Sequence, residues 1–261
     1  MFKSIVLVFS VIAFILLLVF IFYHNRLLRP SQMKEFPLIW ESLLQEHVQY
    51  YRELTPERQL VFRERILQFL NRVYIKGVGT EVEDLDKVLV ASSAVIPVFQ
   101  FPTFNYKNLN TVLLYPNVFN ENLDFSSHAK DKKISGLVGN GRFEKQMILS
   151  KQSLRAGFAP TTERYNTGIH EFVHLIDKLD GKTDGIPEVL MQHAYTIPWL
   201  KLIHYKIRRI KNRKSDINPY GATNEAEFFA VAAEYFFEKP EKMQKEHPEL
   251  YNMLNTFFKV K

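Results

Sequence analysis

The sequence predicts an α+β domain that follows an N-terminal transmembrane helix. Apolar residues recur at helical spacing through most of the chain, which indicates several amphipathic helices. Two short runs, residues 111–115 and 146–150, are instead dominated by aliphatic and β-branched residues and are typical of strands. No Gly/Ser linker, repeat or low-complexity tract interrupts residues 30–261, so we expect one domain there, behind an anchor and its flanks at residues 1–29.

The first element is the apolar run Ile5–Tyr23, which is 19 residues long and has Ser10 as its one polar member. As a helix it would extend roughly 28 Å, close to the thickness of a bilayer's hydrocarbon core. It lacks the small-residue exit of a cleaved signal peptide, so we expect an uncleaved, single-pass membrane anchor. One cation precedes the run and three follow it by residue 34, which by the positive-inside rule predicts a cytoplasmic domain.

Helices are expected before the two strand-like runs. Apolar stripes predict two helices within residues 37–75, and the second begins at Thr55-Pro56-Glu57, where proline suits the first turn. A further apolar helix is expected over Lys87–Phe99. The order of elements is therefore helices first and a small sheet after them.

A metal site is predicted at His170-Glu171-Phe172-Val173-His174, inside an apolar pattern that ends at Asp180-Gly181, where glycine suits a left-handed cap. On a helix, the two histidines lie one turn apart on one face and can bind one ion, while Glu171 projects beside them toward metal-bound water. This pattern predicts a zinc site in which Glu171 is the general base, and so a metallohydrolase. Together with the expected helices and small sheet, it predicts an α+β zincin fold. The alternative is a pair of buried core histidines without a metal.

Zinc needs a third protein ligand, and the chain offers several carboxylates. Asp180 lies where one zincin layout has its ligand, but Asp177 replaces the glycine that would turn the chain back, so this assignment is weak. Asp177 is better interpreted as a carboxylate that orients an imidazole, with a solvated helix carboxylate as the alternative. The largely apolar helix expected over residues 223–237 presents Glu227 and Glu234 two turns apart on one face. A buried carboxylate needs a partner, so zinc would justify one of them.

The formal net charge is +6, and cations crowd residues 206–214: Lys206, Arg208, Arg209, Lys211, Arg213 and Lys214. No recognition module or aromatic stacking pattern accompanies them, so we expect no direct binding of nucleic acid. A solvated helix face is the ordinary explanation, and contact with anionic lipid headgroups is the functional one for a tethered protein.

The H-E-x-x-H pentapeptide and residues 220–230, Tyr-Gly-Ala-Thr-Asn-Glu-Ala-Glu-Phe-Phe-Ala, resemble the Mlc titration factor A family of bacterial zinc peptidases. They also resemble the catalytic domain of anthrax lethal factor. Segments 60–70, 91–95 and 111–116 are similar to the first family too, so the resemblance spans about residues 37–260. It implies Zn²⁺ held by His170, His174 and Glu227, and Tyr220 as the group that polarises the substrate carbonyl.

The predicted function is that of a membrane-anchored zinc peptidase that hydrolyses a peptide or protein substrate. Glu171 would accept the proton of zinc-activated water and return it to the leaving amine. The alternative is a regulatory binding protein that sequesters a transcriptional repressor, as the founding member of the resembled family does, with the zinc fold as scaffold. A scaffold needs the metal ligands but not the base, so Glu171 together with Tyr220 favours the enzyme.

Overall fold

The computed structural model describes Phe14 and residues 35–258, apart from positions 127, 129, 132, 140, 161–164, 191 and 192. The described residues form helices around one mixed four-stranded sheet. The helices, in chain order, are α1 (Leu38–His47), α2 (Gln49–Arg52), α3 (Pro56–Leu70), α4 (Asp84–Val95), α5 (Lys151–Gly157), α6 (Thr167–Asp177), α7 (Thr196–Lys211), α8 (Glu225–Glu238), α9 (Pro240–Glu246) and α10 (Pro248–Phe258). The predicted α+β class is confirmed, while the division of the chain after residue 29 stays a prediction.

The sheet has the order β1-β2-β4-β3. Its strands are β1 (Tyr74–Gly77), β2 (Thr111–Tyr115), β3 (Gly136–Val138) and β4 (Gln146–Ser150). The first three in spatial order are parallel, whereas β3 pairs antiparallel with β4, with Gly136 opposite Leu149. The two predicted strands correspond to β2 and β4. The sequence did not predict β1 and β3, and β3 is the edge strand that lies against α6.

The predicted helices are present with small changes at their ends. α3 begins at Pro56 as expected, and α4 starts three residues before the predicted Lys87 because Glu83 and Asp86 form a capping box. A 3₁₀ turn, Ile96–Val98, follows α4 and accounts for the remainder of the predicted apolar segment. α4 is buried over nearly its whole length and packs against α3 and α6, so it supports the helix that carries the H-E-x-x-H motif.

The predicted single-pass membrane localisation is contradicted, because no helix in the described part of the chain is long and apolar enough to cross a membrane. The longest of these helices, α7, has 16 residues and would extend only about 24 Å, and it carries five cations. The segment on which the prediction rested, Ile5–Tyr23, lies outside the described residues apart from Phe14. The membrane contact and the cytoplasmic placement that were inferred from that segment therefore have no support in the described residues.

Candidate metal centre

Helix α6 holds the two histidines of the H-E-x-x-H motif in a fixed, buried position. All of its residues are buried, and the side chain of Asn166 caps its first turn by accepting a hydrogen bond from the Ile169 amide at 3.0 Å. After a 3₁₀ turn, Gly181 adopts φ 97°, the left-handed conformation expected at the end of this helix. The predicted packed helix and its glycine cap are confirmed.

Helix α8 packs against α6 and brings a carboxylate to the histidines. Its N-cap is Asn224, whose side chain accepts a hydrogen bond from the Glu227 amide at 2.9 Å, which places Glu227 in the first turn. The positive end of the helix dipole favours the ionised carboxylate there. Apart from Glu234 and Glu238, the rest of the helix is mainly apolar and largely buried, as the sequence predicted.

Three donor atoms from these helices converge on one point. His170 Nε2 lies 3.0 Å from Glu227 Oε2 and 3.1 Å from His174 Nε2, and His174 Nε2 lies 3.3 Å from Glu227 Oε2. These residues form a group that could hold a metal ion, since their donor atoms all lie within 4.8 Å of one another. The structure thus brings together the three residues that the resemblance implied as ligands.

The electrostatics of this group favour a cation. Burial disfavours the charged form of His170, but hydrogen bonds with Glu227 and Glu234 outweigh burial and raise the pKa of the imidazole to about 10. Burial also disfavours the ionised form of Glu227, yet His170 and His174 lower its pKa to about 2. Carboxylates of α8 therefore stabilise positive charge at the histidines, and a bound metal ion would receive the same stabilisation.

Glu234 contacts the opposite side of the His170 ring. Its Oε1 lies 2.5 Å from His170 Nδ1, and the residue is 5 % exposed. This contact fixes the orientation of the imidazole and leaves Nε2 directed at Glu227. From the sequence, Glu227 and Glu234 were equivalent as carboxylates on one helix face. The structure separates them, one on each ring nitrogen of His170.

Asp177 and Asp180 lie apart from the donor group. Asp177 is 1 % exposed, which rules out the solvated carboxylate, and its Oδ2 accepts a hydrogen bond from the Gly185 amide at 2.9 Å. Glu234 orients His170, whereas Asp177 interacts electrostatically with His174, and burial raises the pKa of Asp177 to about 7. Asp180 is exposed, accepts a hydrogen bond from the Lys182 amide and does not belong to the donor group, in line with the argument against it as a ligand.

Glu171 lies between α6 and the edge strand β3. The residue is 7 % exposed, and burial raises the pKa of its carboxyl group. Its side chain rests against Gly136 of β3, where an added Cβ would stand 2.5 Å from Glu171 Cγ. Glycine at this position is therefore what allows the carboxylate to lie beside the strand, a contact that the sequence analysis did not predict.

Tyr220 lies at the mouth of the site. It belongs to the 3₁₀ turn Pro219–Ala222, which Asn218 caps by accepting a hydrogen bond from the Tyr220 amide at 2.9 Å. The ring is half exposed, and its centroid lies 5.9 Å from that of His170. Partial burial raises the pKa of the phenol, and the charges of Glu227 and Glu171 raise it further, so the hydroxyl keeps its proton.

The domain has a metallopeptidase-like fold. Two histidines lie one helical turn apart, and a carboxylate from a neighbouring helix of the α+β domain contacts both of them. The chain belongs to the glucose-regulated metallo-peptidase M90 family, whose model matches residues 23–259.

Similar proteins support the assignment over most of the chain. Uncharacterized protein slr2042 of Synechocystis sp. is 27% identical over 241 residues, covering 88% of this chain and 87% of that protein. Mlc titration factor A of Escherichia fergusonii is 26% identical over 232 residues, with 84% of each chain covered. Mlc titration factor A of Serratia proteamaculans is 25% identical over 217 residues, covering 79% of this chain and 80% of the relative. The predicted resemblance to the Mlc titration factor A family is confirmed.

Proposed function

We propose that the chain is a zinc-dependent peptidase in which His170, His174 and Glu227 hold the ion. The observation that carries the proposal is the spacing of the three donor atoms, 3.0 to 3.3 Å apart. Donors about 2.0–2.1 Å from one tetrahedral ion are roughly 3.3 Å from each other, so the spacing suits zinc closely. Two imidazoles and one carboxylate are also a ligand set that catalytic zinc uses, with the fourth position left for water or substrate.

The residues around the ion suit peptide hydrolysis. Bound zinc would supply a Lewis acid that polarises a carbonyl and lowers the pKa of water toward about 7. Glu171 has a buried carboxyl group of raised pKa beside the histidines. It would accept the proton of the attacking water and pass it to the leaving amine. Tyr220 keeps its proton and would donate a hydrogen bond to the carbonyl oxygen as negative charge develops there.

The edge strand suggests how a peptide would enter. β3 is the last strand of the sheet and Gly136 at its start touches Glu171. An extended peptide that paired with β3 would run past Glu171 and the donor group, as peptides do when they add to a sheet edge. The absence of a side chain at Gly136 would leave room for both the peptide and the carboxylate.

Hydrolysis of a mixed peptide library, followed by mass spectrometry, tests the activity. The zinc-loaded protein should cleave peptides, and Glu171→Gln should abolish cleavage while retaining the metal, because only the base is removed. Elemental analysis tests the ligands: Glu227→Ala should lose most of the metal, whereas Glu225→Ala should keep it. Full zinc occupancy without Glu227 would refute the ligand assignment, and cleavage by the Glu171→Gln form would refute the base.

A second candidate function is the binding of a transcriptional repressor. The observation that favours it is the name Mlc titration factor A carried by relatives that match most of the chain. The two functions separate in the Glu171→Gln variant, which would still bind a repressor but would not hydrolyse peptides. Co-purification of Mlc with this variant, combined with no cleavage by the zinc-loaded wild type, would favour binding over catalysis.

A further inference from the structure

Helix α7 presents two chemically opposite faces. Its inner face buries Trp199, Leu202, Ile203, Ile207 and Ile210 in the core. Its outer face is exposed and carries Lys201, His204, Tyr205, Arg208, Arg209 and Lys211. Residues 196–215 contain seven cations and no Asp or Glu, so the positive charge of this face is not balanced within its own segment.

The cations of the outer face have no carboxylate partner in the part of the chain that the structure describes. Lys201, Arg208 and Lys211 make no ion pair there, and Arg209 bonds to Tyr205 and to a backbone carbonyl instead. Lys206, counted with this cluster from the sequence, is in fact 7 % exposed and donates to His247 on the inner side. A positive surface of this kind attracts an anionic partner.

This face adjoins the metal centre. α7 packs against the turn that carries Tyr220 and against α8. On its outer face, His204 Nε2 lies 3.1 Å from Glu225 Oε1, two residues before Glu227 in the first turn of α8. Lys201 and Arg208 lie about one helical turn on either side of His204. A chain that occupied the site could therefore continue directly onto α7.

An apolar depression interrupts the positive charge. Its lining includes Ile197, which is 66% exposed, Tyr205, which is 45% exposed, and the charged residues Lys201 and Glu249. Ile197, Lys201 and Tyr205 follow one another at helical spacing, so apolar and cationic groups alternate along the face. A phosphate backbone has no apolar group to place in this depression. A polypeptide that carries both carboxylates and an apolar side chain matches both features.

We propose that the outer face of α7 is a docking surface for an acidic segment of the protein substrate, with an apolar side chain seated between Ile197 and Tyr205. This inference rests on the proposed peptidase function, since it places the segment beyond the cleaved bond. Carboxylates of the segment would pair with Lys201, Arg208 and Lys211, and the apolar contact would fix the register.

Binding is measured by fluorescence anisotropy with the Glu171→Gln form, which prevents hydrolysis. The probes are a labelled peptide in which Glu alternates with Leu and a counterpart in which Gln replaces each Glu. The acidic peptide should bind more tightly, and added salt should weaken its binding. Neutralising Lys201, Arg208 and Lys211 to Gln together should weaken binding of the acidic peptide by about tenfold, because each exposed pair contributes roughly twofold.

A matched control removes the same charge elsewhere. Lys76, Lys107 and Lys245 are exposed, and neutralising these three to Gln should change the affinity by less than about twofold. Equal losses in the two triple variants, or equal binding of the acidic and Gln peptides, would overturn the docking surface. Tighter binding of duplex DNA or anionic vesicles than of the acidic peptide, lost in the α7 variant, would overturn the class of partner.

Cleavage assays separate this inference from the proposed function. A cleavable core, found in the peptide library, is joined to either the acidic or the Gln tail. The acidic tail should lower KM for the wild type and not for the α7 triple variant. Cleavage that ignores the tail would overturn docking and leave the peptidase intact. Charge-dependent binding on α7 without cleavage of any peptide would support docking and refute the peptidase.

Discussion

Gly136→Ala perturbs the position of Glu171 with little effect on the fold. An ideal Cβ at this position would stand 2.5 Å from Glu171 Cγ and 2.6 Å from its Oε1. Ordinary contacts between such atoms are about 3.5 Å or longer, so the Glu171 side chain has to move by roughly 1 Å. Gly136 does not belong to the glycines with positive φ, so alanine suits its backbone. The flexible side chain gives way, and the strand keeps its place.

The expected loss of activity follows from that displacement. Misplacing a catalytic group by about 1 Å can reduce turnover by roughly 10²-fold, or about 2.7 kcal/mol of transition-state stabilisation. Metal content should not change, because the three atoms nearest to the added Cβ all belong to Glu171 and none belongs to a proposed ligand. The melting temperature should stay equal or rise slightly, since alanine reduces the freedom of the unfolded chain. The assay is kcat on a peptide from the library, with zinc content and thermal unfolding measured on the same samples.

A double-mutant cycle decides whether the effect passes through Glu171. In the Glu171→Asp background, Gly136→Ala should cause a smaller further loss, because the shorter side chain has already withdrawn the carboxylate from its catalytic position. The control is Leu137→Ala, which alters the next residue of the same strand, itself 37 % exposed, and should leave kcat nearly unchanged. Full activity in Gly136→Ala, or the same fold-loss in both backgrounds, would refute the placement of Glu171 as the base.

Three further predictions concern metal affinity, chemistry and stability. Gly185 has φ 76°, and a Cβ there would stand 2.6 Å from the carbonyl carbon of Glu225, so Gly185→Ala should displace the first turn of α8 and lower zinc affinity in competition with a chelator. Gly181→Ala has a similar backbone strain but meets no atom within 4 Å, and should keep the metal. Tyr220→Phe should retain zinc and lower kcat by roughly 10–10³-fold with little change in KM, which steady-state kinetics would check. Burial raises the pKa of Glu238 from 4.5 to about 7, so its stabilising contribution is present below the lower value and is lost as pH rises through the higher one. Urea midpoints of Glu238→Gln should therefore fall less across that range than those of the wild type.

The parts of the site that could be predicted from sequence are local. The spacing of His170 and His174 and the glycine that ends their helix are both encoded within a few consecutive residues. Periodicity therefore identified both helices that carry the donor group and placed Glu227 on the face of α8 that meets α6. The strands β2 and β4 were also predicted, because each is a five-residue run of mainly apolar residues at the centre of the sheet.

The parts that could not be predicted depend on contacts between distant segments. β1 and β3 have only four and three residues, lie at the two sheet edges and show no fully buried position, so no apolar pattern marks them. The contact of Gly136 with Glu171 joins residues from different elements, and nothing in the local sequence indicates it. Lys206 looked like part of a solvated cationic face, yet its position on α7 directs it inward to His247.

Glu227 and Glu234 of α8 also explain why α6 has one defined register against α8. Glu227 and Glu234 are seven residues apart, about 10.5 Å along the helix axis, and His170 contacts both with its two ring nitrogens. A shift of α6 by one residue would rotate the imidazole by about 100° and break both contacts together. The contact of His170 Nδ1 with Glu234 and the contact of its Nε2 with Glu227 therefore depend on the same register of α6. Loss of Glu234 should loosen the orientation of His170, whereas loss of Glu227 removes a donor. The two substitutions should consequently lower zinc affinity to different extents. Glu234→Gln should weaken zinc binding partially, because all three donor atoms remain, whereas Glu227→Ala removes one of the three donors and should lose most of the zinc.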